Sequence, residues 1–495
     1  MSRFFPQEDL QQVQSTNINN RTMVDIISTL PSEMRQLLLS FLPTRHAALT
    51  SSLSKAWRDE FCLTTNLKLE LYDDTADINQ FVSFVNRILD VRGGVPNRPS
   101  LQKFLLTLNR AIFADEAQAG TLLFQSANRW ISFALDSRVT TLTLGFYEFP
   151  DDGYVGLPHR IFTANFLVNL RISTSDHVCL FDSHVPVLLP SLKSLRLDMV
   201  GLGAEGQGFH NLLRGCPVIE ELEMKDLAWF TWPSSSVSSK TLKTLSICWD
   251  IYGAEDERSR RPASVFFATP NLEYLDYNDD IAGGYGALDF TSLVEAEVRL
   301  HLRVEQDEDE DELENAVEDA DASGFMSAIC NVKKLFLHAD TLQVLAFACP
   351  AIPPFPNLTE LTIESHQDQL SDWDALPVLL NNCPQLHTLV FMGLTHQAKN
   401  TCGNVCRCEG GEVPQHSCLE ASPARVLKIH DFGQATAEMD RFLVMVRHFL
   451  VTMPHLERFT VYCDGSTETR ANLSRRIRGI QMRASPMCRI EVIGR

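Results

Sequence analysis

An apolar-x-x-apolar-x-apolar pattern recurs thirteen times along this chain and constrains its fold more than any other feature. Representative copies are LVNLRI at 167–172, LKSLRL at 192–197 and LTELTI at 358–363. Alternate side chains of a β-strand point to the same face, so the last two apolar residues of each copy share one core. Several copies follow a helical segment that ends in Cys-Pro, such as FHNLLRGCP at 209–217, where proline stops the helix. The pattern therefore predicts an α/β fold in which short strands alternate with helices.

The spacing of the copies indicates structural repeats. Between Leu142 and Leu389 the middle apolar residues are 21 to 30 residues apart, except for one step of 39. That interval is typical of leucine-rich repeats, which stack so that neighbouring repeats share a continuous core. We therefore expect a leucine-rich-repeat solenoid over 62–400. An ordinary α/β protein with amphipathic strands is the alternative.

The one long step contains a run of acidic residues. Of the 17 residues over 305–321, 11 are acidic and none is basic. Such a run predicts a solvated, disordered loop inserted in the solenoid, with an acidic docking element as the alternative. The whole chain has a formal net charge of -20. A field of that sign repels phosphate backbones, so nucleic acid is not expected as the main partner.

The remaining composition favours an intracellular protein. Residues 1–25 are polar and rich in Gln and Asn, which predicts a disordered tail and no signal peptide. The best candidate for a membrane helix, FLVMVRHFLVTM at 442–453, is interrupted by Arg447 and His448. The 13 cysteines are scattered through apolar stretches, as reduced core thiols are. We expect the protein in the cytoplasm, the nucleus or both, with no membrane partner.

Residues 26–61 predict a compact unit of three short helices. Pro31 begins the first helix, Leu42-Pro43 breaks it, and Thr44 is expected to cap the second. Ser54 caps the third helix, which carries Trp57 on its apolar side. A unit this small cannot bury so many Leu, Phe and Trp side chains by itself. A partner, or the first repeat of the solenoid, must cover the rest.

This N-terminal unit resembles an F-box. The matching parts are the Leu30-Pro31 opening, the Leu38-x-x-Phe41-Leu42-Pro43 middle and the SLSKAWR close at 52–58. With the repeats behind it, the chain resembles plant-type F-box/leucine-rich-repeat proteins over essentially all of 26–465. The segments ARVLKIHDF and RFLVMVRHFLVTMPHLERFTVY resemble the C-terminal FBD region of that family, so 421–495 is expected to form FBD-like repeats. Met34, where Leu is common, and the acidic insertion are mild departures.

The resemblance implies the role of a substrate-recognition subunit in a cullin-type (SCF) ubiquitin ligase. The F-box would bind a Skp-type adaptor that joins it to a cullin, and the repeats would hold an unknown target protein. Such a subunit needs no cofactor and no catalysis of its own, because ligation occurs on partner subunits. The main alternative is an interaction scaffold with no part in ubiquitination.

The adaptor-binding residues are expected to be exposed apolar anchors, with tryptophan the strongest of them. Packing of the same residues on the first repeat is the alternative. The candidates are Leu30, Pro31, Leu38, Leu42, Pro43, Leu53 and Trp57.

Target-binding residues are expected on the concave face of the sheet, at the position between the last two apolar residues of each copy. Arg171 and Arg196 occupy it on adjacent repeats and could bind a carboxylate or phosphate. Phe336 and Val390 are apolar there and are candidate anchors. A solvated face is the alternative for the arginines, and packing against a loop is the alternative for Phe336. From the second copy onward, the twelve residues at this position are Thr143, Arg171, Arg196, Glu223, Ser246, Asp276, Glu297, Phe336, Thr362, Val390, Lys428 and Thr460.

Two further motifs suggest cofactor or metal binding, and both are weaker signals than the F-box and the repeats. The glycines of GLGAEGQGF at 201–209 have the spacing of a dinucleotide-binding turn, but they fall in a strand-to-helix turn of the repeats, so cofactor binding is not expected. The Cys-rich loop at 401–420 carries zinc-type ligands, but their spacing is not that of a standard structural zinc site, and reduced surface thiols are the alternative. These weak metal candidates are Cys402, Cys406, Cys408, His416 and Cys418.

Overall fold

The protein is described by a computed structural model that covers most of the chain. The predicted tail at 1–25 and all of the predicted acidic loop except Asp321 lie outside the described residues. The described residues run from 27 to 494, without 72–76, 95–98, 110–116, 148–156, 176–184, 202–205, 228–231, 233–234, 250–262, 302–320, 366–372, 395–401, 403–404, 406–416, 431–435, 464–465 and 485–486.

Three short helices open the described chain, as the sequence predicts. They are α1 (Ser32–Phe41), α2 (Thr44–Thr50) and α3 (Lys55–Cys62). Pro31 and Pro43 stand at the N-caps of α1 and α2, where a missing N–H leaves no helical hydrogen bond unmade. The expectation that Thr44 caps α2 is wrong, because Thr44 is the first helical residue and its side chain accepts a hydrogen bond from Lys68. Ser54 caps α3, because its side chain accepts a hydrogen bond from the Trp57 backbone N–H at 3.4 Å.

Behind the helices, the chain forms one sheet of 15 strands, all parallel and arranged in chain order. This is the predicted leucine-rich solenoid. Its strands are β1 (Asn66–Leu71), β2 (Lys103–Asn109), β3 (Thr141–Tyr147), β4 (Asn169–Thr174), β5 (Ser194–Asp198), β6 (Glu221–Lys225), β8 (Thr244–Cys248), β10 (Tyr274–Asp280), β12 (Glu295–His301), β13 (Lys334–Leu337), β14 (Glu360–Glu364), β15 (Thr388–Met392), β16 (Val426–His430), β17 (Arg458–Cys463) and β18 (Arg489–Gly494).

All thirteen copies of the sequence pattern are strands of this sheet. The two end strands, β1 and β18, are not among the thirteen predicted copies. Strand β1 has Thr64 three residues before Leu67, where a copy would have an apolar residue. Strand β18 does fit the pattern, with Met487 in the first position and Ile490 and Val492 in the other two.

The other side of the core is built from helices and from a small second sheet. Strands β7 (Ser235–Ser238), β9 (Val265–Ala268) and β11 (Tyr285–Asp289) form this three-stranded parallel sheet, whose apolar side chains join the core in the middle repeats. The helices are α4 (Ile78–Gly93), α5 (Ala117–Asp136), α6 (Gln207–Arg214), α7 (Ser323–Ile329), α8 (Ala339–Ala348), α9 (Leu376–Asn381), α10 (Thr436–Thr452) and α11 (Thr467–Ala484).

A single hydrophobic core runs the length of the solenoid, from Leu67 to Cys488. In the copy LVNLRI the side chains of Leu167, Leu170 and Ile172 are all buried, which confirms that the pattern marks the core-facing positions. Because successive strands pair in register, each such residue packs between its equivalents on the repeats before and after it.

One turn of the solenoid depends on a glycine. Gly206, at the N-cap of α6, has φ +70°, in the left-handed region that favours glycine. A Cβ atom added there would lie 2.5 Å from the indole ring of Trp232. Gly206 belongs to the nucleotide-type glycine motif, and its conformation and the Trp232 contact give that glycine a structural role.

We predict that Gly206→Ala lowers the free energy of unfolding by at least about 1–2 kcal/mol, because it adds left-handed strain to the overlap with Trp232. The matched control is Gly479→Ala in α11, where nothing lies within 4 Å of the added atom. Alanine in a helix interior is favoured over glycine by roughly 0.5–1 kcal/mol, so this control should raise stability. Thermal unfolding of the two variants checks both signs, and a harmless Gly206→Ala would refute the argument.

Candidate functional site

The first helix presents its apolar side to solvent. Met34, Leu37, Leu38 and Phe41 are spaced as one stripe along α1, and all four are exposed, with Phe41 at 75%. Exposed large apolar side chains continue beyond α1 at Leu42, Leu49 and Leu53.

Of the predicted adaptor-binding residues, five lie exposed at this surface. Leu38, Leu42 and Leu53 carry exposed apolar side chains, and Pro31 and Pro43 are exposed at the starts of α1 and α2.

The other two predicted residues are less accessible. Leu30 is half-buried, and Trp57 is only 3% exposed. The expectation that Trp57 is an exposed anchor is therefore wrong. Three short helices need at least one large side chain to form a core, and Trp57 fills that role with Leu39 and Ala47.

A buried polar cluster holds α1 against α3. Glu60 of α3 forms an ion pair with Arg35 at 2.9 Å and accepts a hydrogen bond from the Gln36 side chain at 2.9 Å. Burial raises the pKa of Glu60, but hydrogen bonds from Ser32, Gln36 and Arg35 and the Arg35 charge outweigh it, so the pKa lies below its usual range. Arg35 and Leu39 thus lie on the side of α1 that faces inward, while the apolar stripe lies on the side that faces solvent.

The helical unit is also fixed to the solenoid. Thr44 Oγ1 at the start of α2 accepts a hydrogen bond from the backbone N–H of Lys68 in β1 at 2.7 Å. Phe61 packs against both the small helical core and the solenoid core. Buried Arg92 of α4 donates to the Cys62 carbonyl at 3.2 Å. The exposed stripe on α1 therefore has a set direction relative to the repeats.

The twelve predicted concave-face residues form one continuous row. Each is the register partner of the next, from Thr143 on β3 to Thr460 on β17. Arg171 and Arg196 are neighbours in this row and both are exposed. Arg196 forms an ion pair with Glu223 on the next strand at 3.0 Å, which neutralises part of the positive patch.

The two apolar candidates are covered more than the sequence predicts. Val390 is 5% exposed, so the expectation of a solvent-facing anchor is wrong there. Lys428 on β16 reaches Glu360 on β14 at 3.8 Å, and this ion pair spans β15 beside Val390. Phe336 is half-buried, with its ring centroid 4.7 Å from that of His338.

A charged network beside Phe336 was not found from the sequence. His338 lies 3.0 Å from Glu297 through Nε2 and contacts Glu364 and Arg299 through Nδ1. Arg299 also donates to Glu364 at 3.3 Å. Arg299 and Glu364 lie two residues beyond the predicted row, on the same face of their strands. Counting a second outward position per repeat would have found them.

The network joins three adjacent strands and extends toward β8. Tyr274 donates a hydrogen bond to Glu297 at 3.2 Å, and Ser246 donates to Asp276 at 2.6 Å. Burial raises the pKa of the Asp276 carboxyl above its usual range. The middle of the concave face is therefore an ordered set of acidic and histidine side chains, fixed before any partner binds.

The cysteine candidates are only partly described. Cys402 is buried, and Cys418 is half-buried, with burial raising its pKa to about 12. Cys406, Cys408 and His416 lie outside the described residues. Among the residues that the structure describes, no group of three or more His, Cys, Asp or Glu side chains is placed to hold a metal ion.

Comparison with known proteins agrees with the resemblance seen in the sequence. The family model described as "FBD-associated F-box protein At5g56370, LRR repeats" matches residues 127–285.

Close relatives match over nearly the whole chain. F-box/LRR-repeat protein At3g59210 of Arabidopsis thaliana is 39% identical over 95% of this chain and 94% of the relative. F-box/LRR-repeat protein At3g59200 of the same plant is 38% identical over 95% of this chain and 88% of the relative. Putative F-box/FBD/LRR-repeat protein At3g59240, also from Arabidopsis thaliana, is 35% identical over 88% of this chain and 83% of the relative.

The His338 network generates a pH prediction. Burial lowers the pKa of His338, but its hydrogen bonds to Glu297 and Glu364 outweigh burial and raise the pKa above the usual value of 6.5. Protonated His338 therefore stabilises the fold fully below pH 6.5, and this contribution is lost as the pH rises through the raised pKa. We predict that His338→Gln costs about 1.5–3 kcal/mol at pH 6, the size of a hydrogen bond to a charged group, and less at pH 8.5.

Thermal unfolding at the two pH values checks this difference. The exposed His455→Gln is the matched control, because it makes the same substitution on the surface, outside the network of Glu297, Glu364 and Arg299. An equal loss for His338→Gln at both pH values would contradict the charged state of the network.

Proposed function

Because the chain belongs to the F-box/LRR-repeat protein family, we propose that it is the substrate-recognition subunit of a cullin-type (SCF) ubiquitin ligase. The three N-terminal helices dock on a Skp-type adaptor, and the solenoid binds the target protein.

The apolar stripe on α1 is the observation that carries this proposal. Contiguous exposed apolar side chains on a folded unit mark a protein-binding surface. The stripe lies on a helix that the ion pair between Arg35 and Glu60 of α3 holds in one orientation, so the exposure is built into the fold. An adaptor that covers Leu38, Phe41 and Leu42 would remove this apolar surface from water.

The concave face supplies the surface for the target. Its charges change along the sheet, from exposed Arg171 through the acidic and histidine network around half-buried Glu297 to half-buried Lys428. A target would have to match this order of charges and the half-buried Phe336 between them. Arg171 would bind an acidic group of the target, and Arg196 would join it by exchanging its ion pair with Glu223.

The proposed subunit acts by proximity and has no catalytic role. By holding a target at a fixed distance from the adaptor, it raises the effective concentration of target lysines at the ligase. None of the helices in the described part of the chain is long and apolar enough to cross a bilayer. The ten described cysteines are free thiols, which suits a reducing compartment, and we place the protein in the cytoplasm or nucleus.

We predict that the double variant Leu38→Glu/Phe41→Glu loses binding to a Skp-type adaptor by at least about tenfold, because charges replace the centre of the apolar surface. Both side chains are exposed, so the fold should be retained. Affinity for the purified adaptor and circular dichroism of the variant measure the two effects.

Two controls sharpen this test. Val451→Glu on α10 alters an equally exposed apolar residue away from the F-box and should leave adaptor binding intact. Trp57→Ala should disrupt the small helical core, because Trp57 is buried there. Unchanged adaptor binding by the α1 double variant would refute the proposal. Capture of an adaptor without a cullin would instead favour the scaffold role.

A further inference from the structure

The two edge strands of the 15-stranded sheet, β1 and β18, are covered to different extents. At the first end, Leu67, Leu69 and Leu71 of β1 are buried. The N–H of Lys68, which points away from β2, is satisfied by the Thr44 side chain at 2.7 Å. The F-box helices therefore cover this edge.

At the other end, the core side of β18 is incompletely covered. Ile490 and Val492 are the register partners of Phe459 and Val461 on β17, whose side chains are fully buried. Ile490 and Val492 are only half-buried. Met487, in the first position of the repeat pattern, is 92% exposed. In the part of the chain that the structure describes, no strand pairs with the outer edge of β18.

The outer edge of β18 also carries backbone N–H and C=O groups that can bind another strand. The Arg489 N–H donates to the Glu457 carbonyl at 2.8 Å, so the backbone groups of Arg489 face β17. The backbone groups of successive residues in a strand point alternately to its two edges. The N–H and C=O groups of Ile490 and Val492 therefore point away from β17, to the open edge. An exposed row of such groups is a template for another strand.

The charge around β18 is opposite to that of the whole protein. Residues 467–495 contain seven Arg and two Glu, in a chain of net charge -20. Arg489 and Arg458 are adjacent register partners, and both are exposed on the concave face. Arg475 and Arg478 are exposed on α11, the helix that packs on β18.

We propose that β18 is a docking edge for an extended acidic segment of a partner protein, which adds a further strand to the sheet. Alternate apolar residues of that segment would cover Ile490 and Val492 on the core side. One of its acidic residues would lie on the concave side opposite Arg489, which would exchange its 2.7 Å ion pair with Glu491 for one with the partner. Main-chain hydrogen bonds would supply affinity, and the alternation would supply specificity.

Two other occupants fit this edge less well. A second copy of the chain would bring two arginine-rich ends together, and their repulsion opposes that pairing. A nucleic acid would be attracted by the arginines, but it would leave the outward backbone groups and the apolar side chains of Ile490 and Val492 uncovered. The β18 edge lies fourteen strand spacings from β1, roughly 65 Å along the sheet at about 4.8 Å per strand, so it works independently of the F-box.

A designed peptide tests the proposal on the full chain. The probe is a fluorescent eight-residue peptide that alternates valine and glutamate, and its control alternates valine and lysine. We expect micromolar binding of the acidic peptide by fluorescence anisotropy, and at least tenfold weaker binding of the basic one. Bound peptide should slow hydrogen exchange at the outward amides of Ile490 and Val492.

Variants of β18 separate the contribution of its backbone N–H groups to peptide binding from that of the Arg489 charge. Val492→Pro removes an outward N–H while keeping the ladder to β17, because proline is tolerated where the N–H faces the open edge. Val492→Pro should lower the affinity for the acidic peptide at least tenfold. Val492→Ala keeps the N–H, so its affinity for the peptide should stay within a few-fold of that of the natural chain. Arg489→Glu should also weaken binding tenfold, against no change for the exposed Arg214→Glu on α6.

Several results would overturn the docking edge. They are equal binding of both peptides, binding without protection at β18, and binding that survives both Val492→Pro and Arg489→Glu. If Val492→Pro unfolds, Arg489→Glu and the exchange data still decide. Dimerisation that Val492→Pro abolishes would identify a second copy instead, and displacement of the peptide by a single-stranded oligonucleotide would identify nucleic acid. Adaptor binding should be unaffected by these variants, so this proposal and the ligase role fail separately.

Discussion

No strand of the long parallel sheet can bury its core-facing side chains alone. Leu170 and Ile172 on β4 are buried because Leu195 and Leu197 on β5 pack beside them in register, and the same dependence passes from repeat to repeat. Stability in such an array is a sum of neighbour contacts, so its two ends are the weak points. What covers each end therefore decides both the stability and the interactions of this protein.

At the N-terminal end, the F-box and the first repeat complete each other. The three helices have a core of Leu39, Ala47 and Trp57, too few apolar residues for an independent unit of this size. Phe61 extends that core into the solenoid, and Arg92 binds the chain where α3 ends. The contacts that seal the end of the sheet also fix the angle between the apolar stripe on α1 and the concave face. The positioning role that we propose for this protein needs that angle to be constant.

The sequence predicts whatever depends on periodicity and misses what depends on distant partners. The concave row from Thr143 to Thr460 follows from the pattern, because a strand with a fixed core face has a fixed outer face. Val390 follows the same rule, but it is buried, and the ion pair of Lys428 with Glu360 that crosses β15 beside it is a contact that no local pattern contains. Strands β7, β9 and β11 were also missed, since segments as short as SSVS carry no periodic signal.

The orientation of α1 shows the same division between local pattern and distant contact. Its sequence places apolar residues on both sides, with Leu38 exposed and Leu39 buried, so periodicity alone does not decide which side faces solvent. The Glu60 carboxylate decides it, because Arg35 and Gln36 both bind that one group. A rotation of α1 by one residue, about 100°, would break both contacts and bury Leu38 in place of Leu39. A buried ion pair of this kind adds little net stability compared with an apolar pair, but it specifies one arrangement. Here that arrangement keeps an apolar surface exposed, which is unfavourable for the isolated chain and becomes favourable when a protein partner covers it.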